Sequence, residues 1–202
     1  MFSGIVETTT ELLEVQEGQS ICRIFLKRPI QFDDLQIGDS VAVNGVCLTV
    51  EMFDSTKMQF SLGLETLQVL QWKQQDWKNR KINVERSLKL SDRIHGHLVT
   101  GHVEALGKVL RSDQVGENWF LDIEVPTALL PLIWKKGSIT LHGVSLTVNT
   151  LEKNILQVCL IPETQKRTNL IEFKKDDSIH LESDYMAKAF YRFYELQGKD
   201  EQ

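Results

Sequence analysis

Apolar residues fall at every second position in a series of short stretches, the signature of strands with one buried face. Residues 21–27, 40–50, 58–64 and 82–88 carry this alternation in the first half of the chain. Residues 103–110, 120–125, 138–149, 156–161 and 179–182 carry it in the second. Turn residues separate these runs. So many short strands predict an all-β fold of small closed antiparallel barrels, because closure removes exposed edges. Short helical pieces are expected after Glu65-Thr66 and Glu163-Thr164, which close strands at 60–64 and 158–162 and are placed to cap a helix. Another is expected over residues 127–135. From Tyr185 to Gly198 the period changes. Met186, Ala189, Phe190, Phe193 and Leu196 recur every three or four residues and describe an amphipathic helix. Its apolar stripe packs either on its own barrel or on another subunit.

The alternating pattern is written twice. Val41-Ala42-Val43-Asn44-Gly45-Val46-Cys47-Leu48-Thr49-Val50 returns as Ile139-Thr140-Leu141-His142-Gly143-Val144-Ser145-Leu146-Thr147-Val148, an offset of 143 − 45 = 98 residues. Each copy reads as strand, glycine-bearing tight turn or bulge, strand. Met1-Phe2-Ser3-Gly4-Ile5-Val6-Glu7 returns as Leu98-Val99-Thr100-Gly101-His102-Val103-Glu104, Glu65-Thr66 as Glu163-Thr164, and Lys81-Ile82-Asn83-Val84-Glu85 as Ser178-Ile179-His180-Leu181-Glu182. Four blocks in one order at nearly constant spacing identify a tandem duplication. Two barrels are expected, over residues 1–96 and 97–184, with residues 88–96 carrying the chain between them and residues 185–202 forming the helix and tail.

Composition narrows the function. The chain has 202 residues, enough for two domains with their own cores, and its apolar (42%) and charged (25%) fractions are those of a soluble globular protein. A net charge of −5 argues against a nucleic-acid partner. No apolar run reaches membrane-spanning length, and the N-terminus lacks the basic and apolar segments of a secretion signal. Cys22, Cys47 and Cys159 have no metal-ligand spacing and an odd count, which fits reduced thiols in the cytoplasm.

Taken alone, Cys47 reads as a small core residue. The repeat alters that reading: Cys47 with Thr49, and Ser145 with Thr147, put a thiol or hydroxyl beside a threonine on one strand face, so duplicated pockets with unequal chemistry are expected. His97 and His102 are five apart, share no face of a strand or helix, and lack a third ligand, so no metal site is expected. His102 stands at the repeat position of Ile5 and is suited to carry a proton. Asp184 precedes the tail helix, where an N-cap explains it. Phosphate loops, serine-triad signatures and zinc patterns do not occur in the sequence.

The N-terminal Met1-Phe2-Ser3-Gly4-Ile5-Val6, the stretch from Ser40 to Val50, Asn83-Val84-Glu85-Arg86, Gly96-His97-Leu98-Val99-Thr100-Gly101-His102-Val103, Lys136-Gly137-Ser138-Ile139, Gly143-Val144-Ser145-Leu146-Thr147-Val148 and Leu160-Ile161-Pro162-Glu163-Thr164 resemble the riboflavin synthase family, alpha-chain type, over essentially the whole chain. The resemblance implies two tandem six-stranded Greek-key antiparallel barrels, a C-terminal α-helix and a homotrimer whose contact the tail helix forms. It implies that two molecules of 6,7-dimethyl-8-ribityllumazine exchange a four-carbon unit, giving riboflavin and 5-amino-6-ribitylamino-uracil. No external cofactor and no metal take part. Each active site then lies between the first barrel of one subunit and the second barrel of a neighbour. Association with lumazine synthase is a further implied partner.

By the same resemblance His102 is assigned to proton transfer. Ser40, Cys47 and Thr49 line the first pocket, Ser145, Thr147 and Lys136 the second, and Asp184 sits where the second meets its partner. The nucleophile is Cys47, Ser145 or water. Phe2 closes the site against an adjacent subunit. Gly4, Ile5, Val6, Gly63, Leu64, Thr66, Gly101, Val103, Ile161, Glu163 and Thr164 hold the ring edges and ribityl hydroxyls. The chain departs from the family at His95 and His142, where glycine and aspartate are usual, and over residues 71–81, a Trp- and Lys-rich loop expected to be peripheral. The rival readings are a non-catalytic antenna-type lumazine- or flavin-binding protein on the same fold, a flavin reductase barrel, for which the chain has no room for a nicotinamide domain, and a purely structural module.

Overall fold

The computed structural model describes residues 1–78 and 80–197. In the first half these form β1 (Thr8–Thr10), β2 (Leu12–Glu17), β3 (Ile21–Lys27), β4 (Ser40–Val43), β5 (Val46–Thr49), β6 (Met52–Phe53), β7 (Lys57–Gly63), α1 (Leu64–Val69), α2 (Gln74–Lys78) and β8 (Ile82–Arg86). The second half repeats the order with β9 (Ala105–Val115), β10 (Asn118–Glu124), a 3₁₀ turn (Thr127–Leu132), β11 (Ser138–Leu141), β12 (Val144–Thr147), β13 (Thr150–Glu152), β14 (Ile155–Leu160), α3 (Pro162–Arg167), a second 3₁₀ turn (Leu170–Glu172) and β15 (Ser178–Ser183). The chain then enters α4 (Tyr185–Gln197); the helix end expected at Gly198 lies outside the described residues.

Strand order shows how each half closes. One sheet of the first half runs β1-β8-β4-β5 and the other β2-β3-β7-β6. The chain passes between the sheets four times, and at two of these passages, β1 to β2 and β5 to β6, only one or two residues separate the strands, so bent strands join both edges into a six-stranded Greek-key barrel. In the second half β9 turns the corner unbroken, and the order is β12-β11-β15-β9-β10-β14-β13. The bend has the same device in both halves: a bulge at Leu13, between Leu12 and Glu14, and one at Leu110, opposite the Asp122/Ile123 step.

The β4–β5 and β11–β12 connections are two-residue hairpin turns. Asn44 and Gly45 have φ of 48° and 84°, and His142 and Gly143 have 52° and 86°. Positive φ at both central residues is what a type I′ turn requires, and its twist matches the flanking strands. Inside each barrel the alternation seen in the sequence becomes packing. Cys22, Ile24 and Leu26 of β3 face Leu62, Phe60 and Met58 of β7, and Leu121 and Ile123 of β10 face Val158 and Leu156 of β14. These side chains form two separate cores, one per barrel, and each fully buried one contributes roughly 1.5–3 kcal/mol before chain entropy is charged.

Several expectations are corrected. The helices α1 and α3 start earlier than Glu65 and Glu163: the N-caps are Gly63 and Ile161, with no side-chain cap bond. The Trp-rich loop is not peripheral. It forms α2, Trp77 is buried in the first core, and Trp72 meets it edge-on with ring centroids 4.8 Å apart. Strands β1 and β2 carry Thr8-Thr9-Thr10 and several exposed polar residues, which hides the alternation. Helix α4 rests near the 3₁₀ turn at 127–132 and is tied at its root, where Lys188 pairs with Glu104. Its apolar stripe does not pack on its own barrel: Phe190 is 68% and Phe193 60% exposed.

Candidate active site

A local two-fold axis relates the halves and passes between the two hairpin turns. A Cβ on Gly45 would lie 2.6 Å from the Gly143 amide nitrogen, and one on Gly143 would lie 2.7 Å from that of Gly45. Only glycine permits this approach. Across the same axis Phe2 and Val99 exchange both backbone hydrogen bonds, at 2.8 and 3.0 Å. Asn83 donates to the His142 carbonyl at 2.9 Å, and His180 Nδ1 bonds the Asn44 carbonyl at 2.8 Å, the matching contact from the other side.

Near this axis each half lends its first segment to the other. Val6 is buried in the second core, and Val103 packs against the first. The Gly101 carbonyl accepts from the Cys47 amide at 2.8 Å, and the Gly4 carbonyl accepts from the Ser145 amide at 2.7 Å. Gly4 and Gly101 have φ of 73° and 78°, and a Cβ on either would come within 2.7 Å of a side-chain carbon on the facing strand. Carboxylates hold both loops. Ser3 donates its amide and hydroxyl to Glu85 Oε1, both at 2.8 Å; Thr100 does the same to Glu182 Oε1 at 2.7 and 2.6 Å.

The lent segments complete two sites on the outer faces of β5 and β12. In the first, Cys47, Thr66, Gly101, His102 and Val103 line a cavity of about 390 Å³ with Val46, Glu65, Val69 and Leu70. Cys47 is half-buried and the His102 side chain exposed. In the second, Ser145 stands where Cys47 does, against Gly4, with Ile5 exposed at the repeat position of His102. Its Oγ lies 2.7 Å from His97 Nδ1, and His97 Nε2 lies 3.2 Å from Thr140 Oγ1. Burial lowers the His97 imidazole below its ordinary range, against the opposing pull of Asp184. His97 was not among the site residues read from the sequence. Its repeat position would fall before Met1, so comparison of the halves could not single it out.

Other expected site residues lie as follows. Ser40 is opposite Thr49 across the β4–β5 hairpin and lines a separate groove of about 880 Å³ beneath the inter-barrel segment, with Ser3, Ile5, Glu85, Arg86 and His95. It does not line the cavity with Cys47. Thr49 and Thr147 are exposed on the faces that carry Cys47 and Ser145. Gly63 and Leu64 are exposed where β7 meets α1, and Ile161, Glu163 and the half-buried Thr164 stand at the same junction of β14 and α3. Lys136 has an exposed side chain and φ of 70°, and its amide bonds the Val148 carbonyl at 2.8 Å. Asp184 caps α4, its Oδ1 accepting from the Met186 amide at 2.9 Å, while its charge acts on His97. Phe2 corrects an expectation: it is fully buried within its own chain, with Ala42, Val99 and Cys47, so it supports the Cys47 strand from behind and is not available to an adjacent subunit.

Electrostatics differ between the halves. Burial raises the Glu85 carboxyl to about 7, against the two bonds from Ser3; Glu85 Oε2 has no hydrogen-bond partner. Glu182 Oε2 instead accepts from the Gly101 amide at 3.0 Å. At the axis the His142 and His180 rings meet at an angle of 36° with centroids 4.3 Å apart, and burial pushes His180 down to about 4 and His142 well below the ordinary imidazole value. His142 Nδ1 faces the His180 amide at 3.5 Å, where Asn44 Oδ1 meets the Asn83 amide at 2.9 Å in the first half. Among the described residues no group of three or more His, Cys, Asp or Glu side chains is placed to hold a metal, and no helix is long and apolar enough to cross a membrane.

Comparison with known proteins places this geometry. A family model described as the lumazine binding domain matches residues 3–87 and again 100–184. Riboflavin synthase of Photobacterium leiognathi is 31% identical over 193 residues, covering 93% of this chain and 86% of that protein. Riboflavin synthase of Bacillus subtilis (strain 168) is 33% identical over 194 residues, covering 96% and 89%, and that of Mycobacterium bovis is 34% identical over 208 residues, covering 98% and 100%. Among solved structures, LumP complexed with riboflavin superposes with a TM-score of 0.82 at 19% identity, over 91% of this chain and 99% of that one. LumP complexed with 6,7-dimethyl-8-(1'-D-ribityl) lumazine gives 0.80 at 18%, over the same shares; at such identity the likeness concerns the fold. The chain belongs to the riboflavin synthase family, built from two lumazine-binding domains.

Proposed function

We propose that this chain is a riboflavin synthase that dismutates two molecules of 6,7-dimethyl-8-ribityllumazine to riboflavin and 5-amino-6-ribitylamino-uracil, without an added cofactor. The observation that carries the reading is that two symmetry-related sites both keep their polar groups and differ in chemistry. Cys47 and His102 stand at one, and Ser145 with His97 and Thr140 at the other. Identical substrates bound at unlike sites can take opposite roles. One ring gives up a methyl proton, for which His102 at the mouth of the first cavity is the acceptor; the other is attacked at C7. Holding the two rings face to face supplies most of the acceleration through effective concentration.

The first site of one subunit meets the second site of a neighbour in a homotrimer, and the exposed stripe of α4 forms the contact. Support comes from that stripe, which its own barrel does not cover, and from the exposure of Ile5 and Thr147 beside Ser145. Association with lumazine synthase belongs to the same reading.

The test is incubation of the purified chain with the lumazine alone. Flavin absorbance rising to one riboflavin per two lumazines is the expected result. A chain that binds lumazine and leaves it unchanged is an antenna-type binding protein. Removal of residues 185–202 is expected to yield monomers with little turnover, checked by light scattering alongside the assay; a fully active trimer from that truncation removes the role given to α4.

A further inference from the structure

The proposed reaction gives no task to the segments that follow α1 and α3. Residues 70–81 and 169–180 stand at equivalent places in the two halves, and together they wall a cavity of about 230 Å³. Asn44 and His142, the first central residues of the two hairpin turns, also line it, so it straddles the axis. It shares one lining residue, Leu70, with the cavity of Cys47, and none with the groove of Ser40. Its volume is below the roughly 300–1,000 Å³ of sites for drug-sized ligands, which limits an occupant to one small ring. Aromatic rings run in series around it. Trp72 meets Trp77, Trp77 meets His180 with centroids 6.2 Å apart, His180 meets His142 at 4.3 Å, and His142 meets Phe173 edge-on at 4.9 Å. The Arg80 guanidinium ends the series, 5.0 Å over the Phe173 ring. All six side chains line the cavity, and such walls favour a flat occupant with apolar faces.

Charge does not select an ion. Lys73, Arg80 and Lys81 in the wall are matched by Asp76, Asp176 and Asp177. Arg80 is already paired with Asp177, and Asp176 with Lys108, each at 2.7 Å. Burial keeps both imidazoles uncharged through the neutral range. The polar atoms instead fix what the edge of the ring must carry. Three buried side-chain polar atoms among the described residues lack a hydrogen-bond partner, and two belong to this wall: Trp72 Nε1, a donor, and Asn169 Oδ1, an acceptor. Each costs about 1–3 kcal/mol while unpaired. Neither atom is open to solvent, so water at the mouth does not satisfy them. Asn169 is 1% exposed and cannot turn away, since its Nδ2 donates to the Lys81 carbonyl at 2.7 Å and to Asn44 Oδ1 at 3.1 Å. The backbone of Trp72 is fixed as well: Gln71 takes a φ of 46°, and the Trp72 amide donates to the Leu67 carbonyl at 3.0 Å, the turn that closes α1. Its indole is only half-buried, unlike that of Trp77, and is the wall that yields to an entering ring.

We propose that the axis cavity is a binding site, separate from the two barrel pockets, for a small uncharged ring of the pyrimidinedione type. A ring carbonyl accepts from Trp72 Nε1, a ring N–H donates to Asn169 Oδ1, and the flat faces lie against the aromatic series. One such ring supplies the acceptor and the donor that the wall lacks, and it adds no charge to a wall whose charges already balance. Each half contributes one of the two recognising groups, so the site exists only because the barrels are joined.

Equilibrium dialysis of the full chain against labelled uracil tests this, with and without excess riboflavin, which is too large for the cavity. One uracil per chain is expected, with a Kd of about 0.1–1 mM as suits so small a ligand, and riboflavin should not displace it. The 1,3-dimethyl derivative keeps the ring and its carbonyls but has no N–H on the ring nitrogens. It should bind about tenfold more weakly, the size of a lost hydrogen bond. Trp72→Phe keeps an aromatic wall without the donor and should weaken uracil by about the same tenfold. Uracil that riboflavin displaces sits in a barrel pocket and overturns the inference. So does a chain that binds no uracil, equal affinity for the dimethyl ring, or unchanged affinity in Trp72→Phe. Should Trp72→Phe report misfolding by circular dichroism, Ser178→Phe decides. That position is exposed and lines the cavity, so the added ring fills it from the rim; loss of uracil binding is expected, and retention overturns the proposal. Binding is the only readout, so a chain that makes no riboflavin refutes the enzyme reading and leaves this site standing.

Discussion

The first and second halves follow the same backbone path and place unlike side chains wherever that path brings them together. Contacts made by the main chain match across the axis: Cys47 to Gly101 and Ser145 to Gly4, or Asn44 to Asn83 and His142 to His180. Those made by side chains do not. Cys47 faces an open cavity, while Ser145 bonds an imidazole; Glu85 has an unpartnered oxygen, while Glu182 has both satisfied; two asparagines are matched by two histidines in ring contact. Backbone bonds tolerate any side chain that fits, so duplication preserves them without further constraint. Side-chain bonds need particular atoms and are free to diverge, and that divergence lets equal folds bind equal molecules for unequal purposes.

The largest effect is expected where the backbones themselves touch. Gly45→Ala and Gly143→Ala each combine a positive φ with a Cβ within 2.7 Å of a backbone nitrogen. Each should cost about 2–4 kcal/mol in urea unfolding. Gly116→Ala has positive φ but nothing within 4 Å, and should cost only about 1 kcal/mol. Unequal losses at Gly45 and Gly143, differing by more than about 1 kcal/mol, would show that the two turns do not share one symmetric contact.

Next come the two buried carboxylates, where the sign should differ. Glu182→Gln places an amide donor against a donor from Thr100 or Gly101, and should destabilise by about 2–3 kcal/mol. Glu85→Gln keeps an acceptor for Ser3 and removes a charge that is hard to bury. The folded carboxyl titrates at about 7 and the ordinary value is 4.5. Between these the folded state binds more protons, so this group's stabilising contribution is full below 4.5 and is lost as pH rises through about 7. Glu85→Gln should therefore stabilise by about 1–2 kcal/mol at alkaline pH and have little effect in acid. Equal losses in both variants would mean that the halves share one electrostatic environment after all.

Much of this was legible in the sequence, and the remainder was hidden for physical reasons. Alternation located strands wherever one face enters a core, as in β3, β7 and β14, and the 97- to 98-residue repeat located the Cys47 and Ser145 strands. It failed at β1 and β2, where polar residues face water on a bent edge, and at α2, where one buried residue, Trp77, does the anchoring. The repeat could not reach His97, which has no counterpart. Phe2 was set against an adjacent subunit by resemblance; its ring is fully buried with Ala42 and Val99, and a first residue pair gives no periodicity from which to read that face. Ser40 was grouped with Cys47 by resemblance; hairpin register puts it opposite Thr49 and in another groove.

The smallest effect concerns the axis pair that replaced asparagine by histidine. His180→Asn copies the first half: the amide can still donate to the Asn44 carbonyl, as Asn83 donates to that of His142. The folded His180 ring takes a proton only near 4, the unfolded one near 6.5. Between these the unfolded state binds more protons, so stability rises with pH across the window and falls as acid is added. Trimming the ring leaves a small void beside Trp77 and His142, which lowers stability equally at every pH. The measurement is thus the difference between about pH 7 and pH 5, which cancels the void and any Glu85 titration common to both proteins. Wild type should lose about 1–2 kcal/mol more than the variant over that interval. Part of the acid loss will remain, because His142 is shifted with the same sign; adding His142→Asn should remove most of it. An unchanged acid loss in the double variant would place the acid sensitivity away from the axis.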